Sequence, residues 1–230
     1  RLCVSAGAIM PATLNREFEQ RFGVPLLDGY GITETSTMVT MNWPSGSRVL
    51  GSCGFPVPGL AVRILDPASG RDVALGQEGE LIVRGPNVMP GYHNKPEETG
   101  KALRDGWYHT GDLARSDENG FLTITGRLKE LIIRGGQNIA PAEIEEVVNT
   151  YAAVLDCAVV GVPHEHLGEV PALFVVARKD RTVEIEALLA HCRAQLSAYK
   201  VPHAVHLVAE IPRTGSGKII RYKLREALGV

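Results

Sequence analysis

Three textures of apolar and polar positions follow one another along the chain. In the first, LCVSAGAI (Leu2 to Ile9) is an apolar run that predicts a buried strand entering a turn of small residues. Pro11 stands where helices start, and Leu14, Phe18 and Phe22 keep a helical spacing up to Gly23, a helix stop. VPLLDGYG is a second buried strand running into a glycine turn. Strand, helix and strand joined by short links predict an α/β unit with parallel strands.

From about Gly51 the pattern shortens. LAVRILD, GELIVRG and LARSDENGFLTITGR are β-rich runs punctuated by glycine and proline, and Asp117 to Gly120 is a turn signal between two alternating runs. A small antiparallel sheet or barrel is expected over 51–126. The pattern changes again after Arg127. LKELIIRGGQNI reads as two short strands around Gly135 and Gly136. Pro141 opens a helix with Ile144, Val147 and Val148 on one face and glutamates near its N-terminus, where the helix dipole favours anions. Strands VLDCAVVGV and VPALFVVAR, a helix near Val183 to Ser197, strand HAVHLVA and a last helix over 221–228 complete an α+β unit of about 100 residues, enough to fold alone. The boundary is expected near Gly126 to Lys129.

Composition narrows the function classes. The 230 residues carry 24 basic and 26 acidic side chains, a net charge of −2, with 44% hydrophobic residues. That is a globular composition with material for a core. A pI near 6.4 argues against a general polyanion binder, so no nucleic-acid partner is expected. No apolar run approaches the ~18 residues that cross a bilayer, and no charged-then-apolar leader is present. Cys3, Cys53, Cys157 and Cys192 form no CxxC pair, which fits reduced thiols in a cytoplasmic protein. Arg1 in place of Met, before an apolar run, suggests a piece of a longer chain.

Four strings can carry chemistry. In DGYGITET (Asp28 to Thr35), glycines around Tyr30 allow close backbone approach, Tyr30 offers an aromatic face, Thr33 a hydroxyl for phosphate, and Glu34 a hard oxygen for Mg²⁺. The same string also fits a strand-to-helix turn with Thr33 or Thr35 as a cap. In WYHTGDLA, Asp112 can accept both hydroxyls of a ribose, or simply close an Asx turn. In GRLKELIIRGGQNIAPAEIE, Arg127 can bind ribose or phosphate, and the double glycine can line a narrow channel or make a plain hairpin. In PRTGSGKIIRYKLR, Lys218 follows a TGSG loop and is a mobile point charge for an oxyanion. This is not a Walker A loop: Pro212 stands where the first glycine belongs and Ile219 where Ser or Thr belongs.

Two further clusters read as structural. His164, His166 and Glu169 lie close in PHEHLGE, but fit a polar loop between strands better than a zinc site. Arg221, Lys223 and Arg225 fit the solvated face of a terminal helix.

Taken together and in order, the four strings resemble the adenylate-forming superfamily: acyl- and aryl-CoA synthetases, nonribosomal peptide adenylation domains and luciferases. SAGAIMP, GELIVRGPNVMPGY and GVPHEHLGE are similar to connecting segments of that family. The resemblance implies the end of a doubly wound nucleotide-binding α/β domain over 1–50, the β subdomain, and a mobile α+β lid over 127–230. It places Gly7 and Ala8 along the nucleotide and acyl site, with Tyr30 on adenine between Gly29 and Gly31. Thr33 would touch the α-phosphate and Glu34 hold Mg²⁺. Asp112 would take the ribose diol with Arg127 nearby. Lys129 matches the hinge, Gly135 and Gly136 the segment meeting the pantetheine arm, Asn138 a residue near the nucleotide in the second step, and Lys218 the adenylation lysine. ATP, Mg²⁺ and coenzyme A are the implied cofactor and co-substrates.

The implied activity is an ATP-dependent acid–CoA ligase acting through an acyl-adenylate. Loading of a carrier protein is the alternative acceptor, and a non-catalytic interaction module the alternative of another class. The family's Ser/Thr/Gly-rich phosphate loop is missing from this sequence, so the chain by itself is expected to be inactive. Met38, Val39 and Cys53 fit either an acyl wall or core. The lack of a cation cluster around them favours an uncharged acyl or aryl tail, with Arg48 as the one residue pointing to a dicarboxylate.

Overall fold

The computed structural model describes residues 2–215 and 217–230; Arg1 and Ser216, the latter inside the TGSG loop, lie outside the described residues. The chain divides into two compact units, Arg1–Leu128 and Lys129–Val230.

The first unit contains two sheets. Strand β1 (Cys3–Ala6), helix α1 (Ala12–Phe22) and strand β2 (Leu26–Tyr30) form the expected start of an α/β layer, with β1 and β2 parallel and Cys3 opposite Leu26. Gly23 ends α1 in the left-handed region at φ 63°, its N–H bonded to the Glu19 carbonyl. β3 (Thr40–Met41) and β4 (Phe55–Pro56) add antiparallel strands, giving the order β1-β2-β3-β4. This sheet therefore reaches past Gly51, where the pattern of the sequence changes. Gly54 makes the return possible: at φ 81°, a Cβ there would lie 2.1 Å from the Met41 carbonyl oxygen.

The second sheet is antiparallel and half-barrel-like. It holds β5 (Ala61–Leu65), β6 (Gly79–Arg84), β7 (Leu103–Arg104), β8 (Trp107–Ser116) and β9 (Leu122–Arg127), in the order β5-β6-β8-β7 with β9 also on β8; short helix α2 (Pro96–Ala102) precedes β7. Val39, Leu81, Val83 and Ala114 form a core between the two sheets, with Tyr30 packed against it.

The second unit is α+β. Its sheet contains β10 (Ile132–Arg134), β11 (Gln137–Ile139), β12 (Val154–His164), β13 (Gly168–Ala177) and β14 (Ala204–Leu207), with helices α3 (Pro141–Asn149), α4 (Ile185–Gln195) and α5 (Arg221–Glu226). β13 is central: it pairs antiparallel with β12 along its length, meets β10 at Gly168 and runs parallel to β14 from Ala172 to Val175. Both faces are covered. Val159, Leu173 and Val175 pack with Ile144, Val148 and Leu188 of α3 and α4. Ala158, Val160, Ala172 and Phe174 pack with Ile211 and Leu224 on the other face. Double coverage explains why these two strands are unbroken apolar runs.

Two expectations change. LCVSAGAI is a strand, but Leu2 and Val4 are about half exposed, at 49% and 50%. β1 is the outer strand of its sheet and one of its faces is uncovered in the described residues. The terminal basic cluster is not uniformly solvated either: Arg221 is partly buried among carboxylates, as described below.

Candidate active site

The turn that carries Tyr30, Thr33 and Glu34 is built by folding the chain back over its own glycines. Ile32 is extended, Thr33–Thr35 make one 3₁₀ turn, and Ser36 and Thr37 take positive φ values of 52° and 94°. Such values are uncommon for non-glycine residues and an outlier for β-branched threonine. Asn87 over-determines the turn, its side-chain amide donating to the Thr35 and Met38 carbonyls at 2.7 and 3.0 Å while the Ser36 hydroxyl donates to the Asn87 carbonyl. A Cβ at Gly31 would overlap the Thr37 carbonyl oxygen at 1.4 Å, and one at Gly29 would meet the Met38 terminal methyl at 2.7 Å. Gly31 is thus required by the chain's own packing, whereas the group closest to a Cβ at Gly29 is the end of a flexible side chain that can shift, with the Thr40 carbonyl at 3.2 Å as the tighter limit. Thr35 is buried and its hydroxyl donates back to Ile32, whereas Thr33 is exposed.

Tyr30, Asp112 and Arg127 meet at one carboxylate. The Tyr30 hydroxyl donates to Asp112 Oδ2 at 2.6 Å, and Arg127 Nε donates to Oδ1 at 2.6 Å. The Asp112 side chain is only 5% exposed and that of Arg127 40%. Burial first, and then the adjacent carboxylate, push the Tyr30 hydroxyl far above its ordinary range, so it stays a neutral donor. Asp112 owes its position to β8. The backbone N–H of Asp112 donates to Thr110 Oγ1, that hydroxyl donates to the Leu81 carbonyl, and the Gly111 N–H donates to the buried Glu80, which also contacts His109. An ionised carboxylate has about four acceptor positions, so two protein donors leave room on both oxygens.

Glu34 is held from a segment that the sequence reading treated only as a connector. The Tyr92 hydroxyl donates to Glu34 Oε1 at 3.0 Å, and the Met89 N–H donates to the Glu34 carbonyl at 2.8 Å. Burial raises the Tyr92 hydroxyl, as does Glu34 itself. Asn87 and Tyr92 are the residues missed from sequence; the clue was polar side chains embedded in the proline- and glycine-rich GPNVMPGYHN. Gly7 and Ala8 are exposed just beyond β1, whose last residue, Ala6, pairs with Gly29.

In the second unit, Lys129 is exposed on the 3₁₀ turn Leu128–Glu130. Gly135 and Gly136 form the exposed hairpin turn at φ 57° and 80°; Gly136 has nothing within 4 Å of a would-be Cβ. Asn138 is exposed on β11 opposite Ile133. Lys218 is also exposed, on a loop closed by Thr214 N–H to the Lys218 carbonyl and by the Arg213–Ile219 bridge.

Several weighed residues take structural places. Glu169 accepts the Ile133 N–H and pairs with Arg225, and no group of three or more His, Cys, Asp or Glu is arranged for a metal among the described residues. Arg48 is committed to Glu19 at 2.6 Å, which lowers the Glu19 carboxyl below its ordinary value. Val39 and Cys53 are buried core, the four cysteines are free thiols, and burial raises Cys53 to about 11. No helix among the described residues is long and apolar enough to cross a membrane.

Comparison with known proteins fits this arrangement to one class of enzymes. Residues 1–93 match the AMP-binding enzyme family and residues 143–218 the AMP-binding enzyme C-terminal domain. A long-chain-fatty-acid–CoA ligase of Yersinia pestis is 46% identical over 226 residues, covering 98% of this chain and 40% of the relative. A feruloyl-CoA synthase of Amycolatopsis sp. is 40% identical over 230 residues, covering all of this chain and 46% of the relative. The crystal structure of ATP-bound MatB from Rhodopseudomonas palustris superposes with a TM-score of 0.94 at 39% identity, covering 99% of this chain and 45% of that one. The chain belongs to the AMP-binding, adenylate-forming enzymes and corresponds to their C-terminal part. It spans less than half the length of the curated relatives it matches.

Proposed function

We propose that this chain is the C-terminal portion of an ATP-dependent acid–thiol ligase that makes an acyl-CoA through an acyl-adenylate. The observation that carries the reading is the meeting of three separately recognised strings at the Asp112 carboxylate, with Tyr30 and Arg127 lying 82 and 15 residues away in sequence. Asp112 accepts the ribose hydroxyls on its remaining lone pairs, and Arg127 and Tyr30 fix its orientation. Tyr30 is the platform for the base, beside Gly7 and Ala8.

In the first half-reaction a carboxylate oxygen attacks the α-phosphorus of ATP and pyrophosphate leaves. Thr33 faces that phosphate, and the exposed Lys218 ammonium supplies positive charge to the developing oxyanions. In the second, a thiol sulfur attacks the acyl carbonyl and AMP leaves, with Gly135 and Gly136 admitting the thiol arm and Asn138 near the nucleotide. Glu34, partly exposed and held at one oxygen by Tyr92, suits a Mg²⁺ that takes one protein carboxylate and the substrate phosphates. That ion supplies charge neutralisation to the phosphates when bound. Rotation of the second unit about Lys129 alternates which of these groups serves the site.

Relatives named for fatty-acid and ferulate ligation support an acyl or aryl substrate and CoA as acceptor. The commitment of Arg48 to Glu19 supports an uncharged tail over a dicarboxylate. The test is pyrophosphate exchange by the complete natural protein across a panel of fatty, aromatic and dicarboxylic acids, followed by CoA or a phosphopantetheinylated carrier. Exchange with a monocarboxylic acid and consumption by CoA is expected. No exchange with any acid refutes the ligase reading. The 230-residue chain alone is expected to show no exchange.

A further inference from the structure

Two arginines flank the loop that presents Lys218, and both are tied to other elements of the second unit. Arg213 grips the Asp156 carboxylate on β12 through Nη2 at 2.8 Å and Nε at 3.3 Å. Its remaining nitrogen, Nη1, donates to the Gly217 carbonyl at 2.7 Å. Arg213 thus binds the loop from its first residue to the peptide just before Lys218. Three residues beyond Lys218, Arg221 donates to Glu130 Oε2 at 2.9 Å and to the Val159 carbonyl at 2.8 Å, and pairs with Glu145 on α3. Glu145 is fixed in turn, accepting the Val159 N–H at 2.7 Å. Burial of Arg221 works against its charge, but Glu145 and Glu130 outweigh it and hold the guanidinium ionised.

This arrangement is costly if stability is its only purpose, because a buried ion pair is often replaceable by apolar groups without loss. What an apolar replacement lacks is direction. A guanidinium presents a rigid planar fork, so each bond fixes an orientation as well as a position. Here one fork, that of Arg213, closes on the exposed loop that carries Lys218, and the other, that of Arg221, ties down the chain three residues beyond it. One of them also reaches Glu130, next to the proposed hinge residue Lys129.

We propose that Arg213 and Arg221 are positioning residues for Lys218: they lock its loop to β12 and α3, and through Glu130 to the hinge segment, so that the ammonium is presented in one fixed pose for adenylation. The proposal rests on Lys218 being the adenylation lysine.

The test uses the complete natural protein carrying Arg213→Met, Arg221→Met, or Arg221→Met with Glu145→Gln. The double variant removes the more buried of the two carboxylates left without Arg221 while retaining an acceptor for the Val159 N–H, and circular dichroism checks that it folds. Two readouts are taken. Trypsin cleavage after Lys218, followed by mass spectrometry, is expected to accelerate by about tenfold or more as the loop opens. Pyrophosphate exchange is expected to fall by about 100-fold, the scale of a misplaced catalytic group, while thiolation of preformed acyl-adenylate stays near the parent rate. Arg221→Lys, one ammonium in place of a fork, is expected to restore only part of the exchange.

Unchanged cleavage, unchanged exchange, or equal loss in both half-reactions overturns the proposal. If the parent protein catalyses no exchange at all, the ligase reading fails, and the cleavage rates alone decide whether the arginines lock the loop.

Discussion

The Asp28 carboxyl sits two residues before Tyr30, 6% exposed, with the Gly29 N–H as the donor that offsets part of its burial. Burial raises its pKa to about 7. Below about pH 4 the group is neutral in both folded and unfolded chains and contributes no pH dependence. Between about 4 and 7 the unfolded chain ionises while the folded chain keeps its proton, so stability falls as pH rises, by at most about 4 kcal/mol in all. Asp28→Asn is expected to abolish that slope: urea unfolding at pH 5 and pH 8 gives a smaller difference for the variant than for the parent. Asp112→Asn deprives Arg127 of its charged partner and halves the acceptor capacity. In the complete protein, pyrophosphate exchange is expected to drop about 100-fold, comparable to loss of one preorganised electrostatic contact, with the fall seen chiefly at sub-saturating ATP.

Turns and hairpins set what each element tolerates. Gly31→Ala places a methyl group on the Thr37 carbonyl, which is backbone and has no way to rotate aside, so a melting temperature many degrees lower, or no soluble protein, is expected. Gly136→Ala meets nothing and carries only the left-handed strain of about 1–2 kcal/mol, so it folds and isolates the contribution of that turn to thiolation. The same contrast explains what could be read from the chain. Elements with a regular spacing, a marked turn or an unbroken apolar run were legible: α1 from the helical spacing of Leu14, Phe18 and Phe22, although Leu14 and Phe22 stand half exposed or more among the described residues, the β8–β9 hairpin from its turn residues, and β12 and β13 from apolar runs covered on both sides. β3 and β4, two residues each, carry no period and are set by tertiary pairing. At the site, Tyr30, Asp112 and Arg127 were each named from local strings, yet a string does not show which hydroxyl reaches which carboxylate. Tyr92 and Asn87 were passed over because their partners lie 58 and about 50 residues upstream. Arg221 was read as solvated because its acceptors, Glu130 and Glu145, lie 91 and 76 residues upstream.

On the scale of the molecule, the division at Leu128 and Lys129 makes the second unit a candidate for independent folding. It has apolar layers on both faces of its own sheet, and all of its described ion pairs close within it. Residues 129–230 expressed alone are expected to show α+β circular dichroism and one cooperative thermal transition; a featureless spectrum would contradict this. The first unit has a different disposition. β1 is an outer strand whose backbone edge has no neighbour among the described residues, and Leu2 and Val4 stand on one of its faces. An unguarded edge of this kind recruits further strands from other molecules. The 230-residue chain by itself is therefore expected to self-associate as its concentration rises, and Val4→Lys to reduce that association in light scattering.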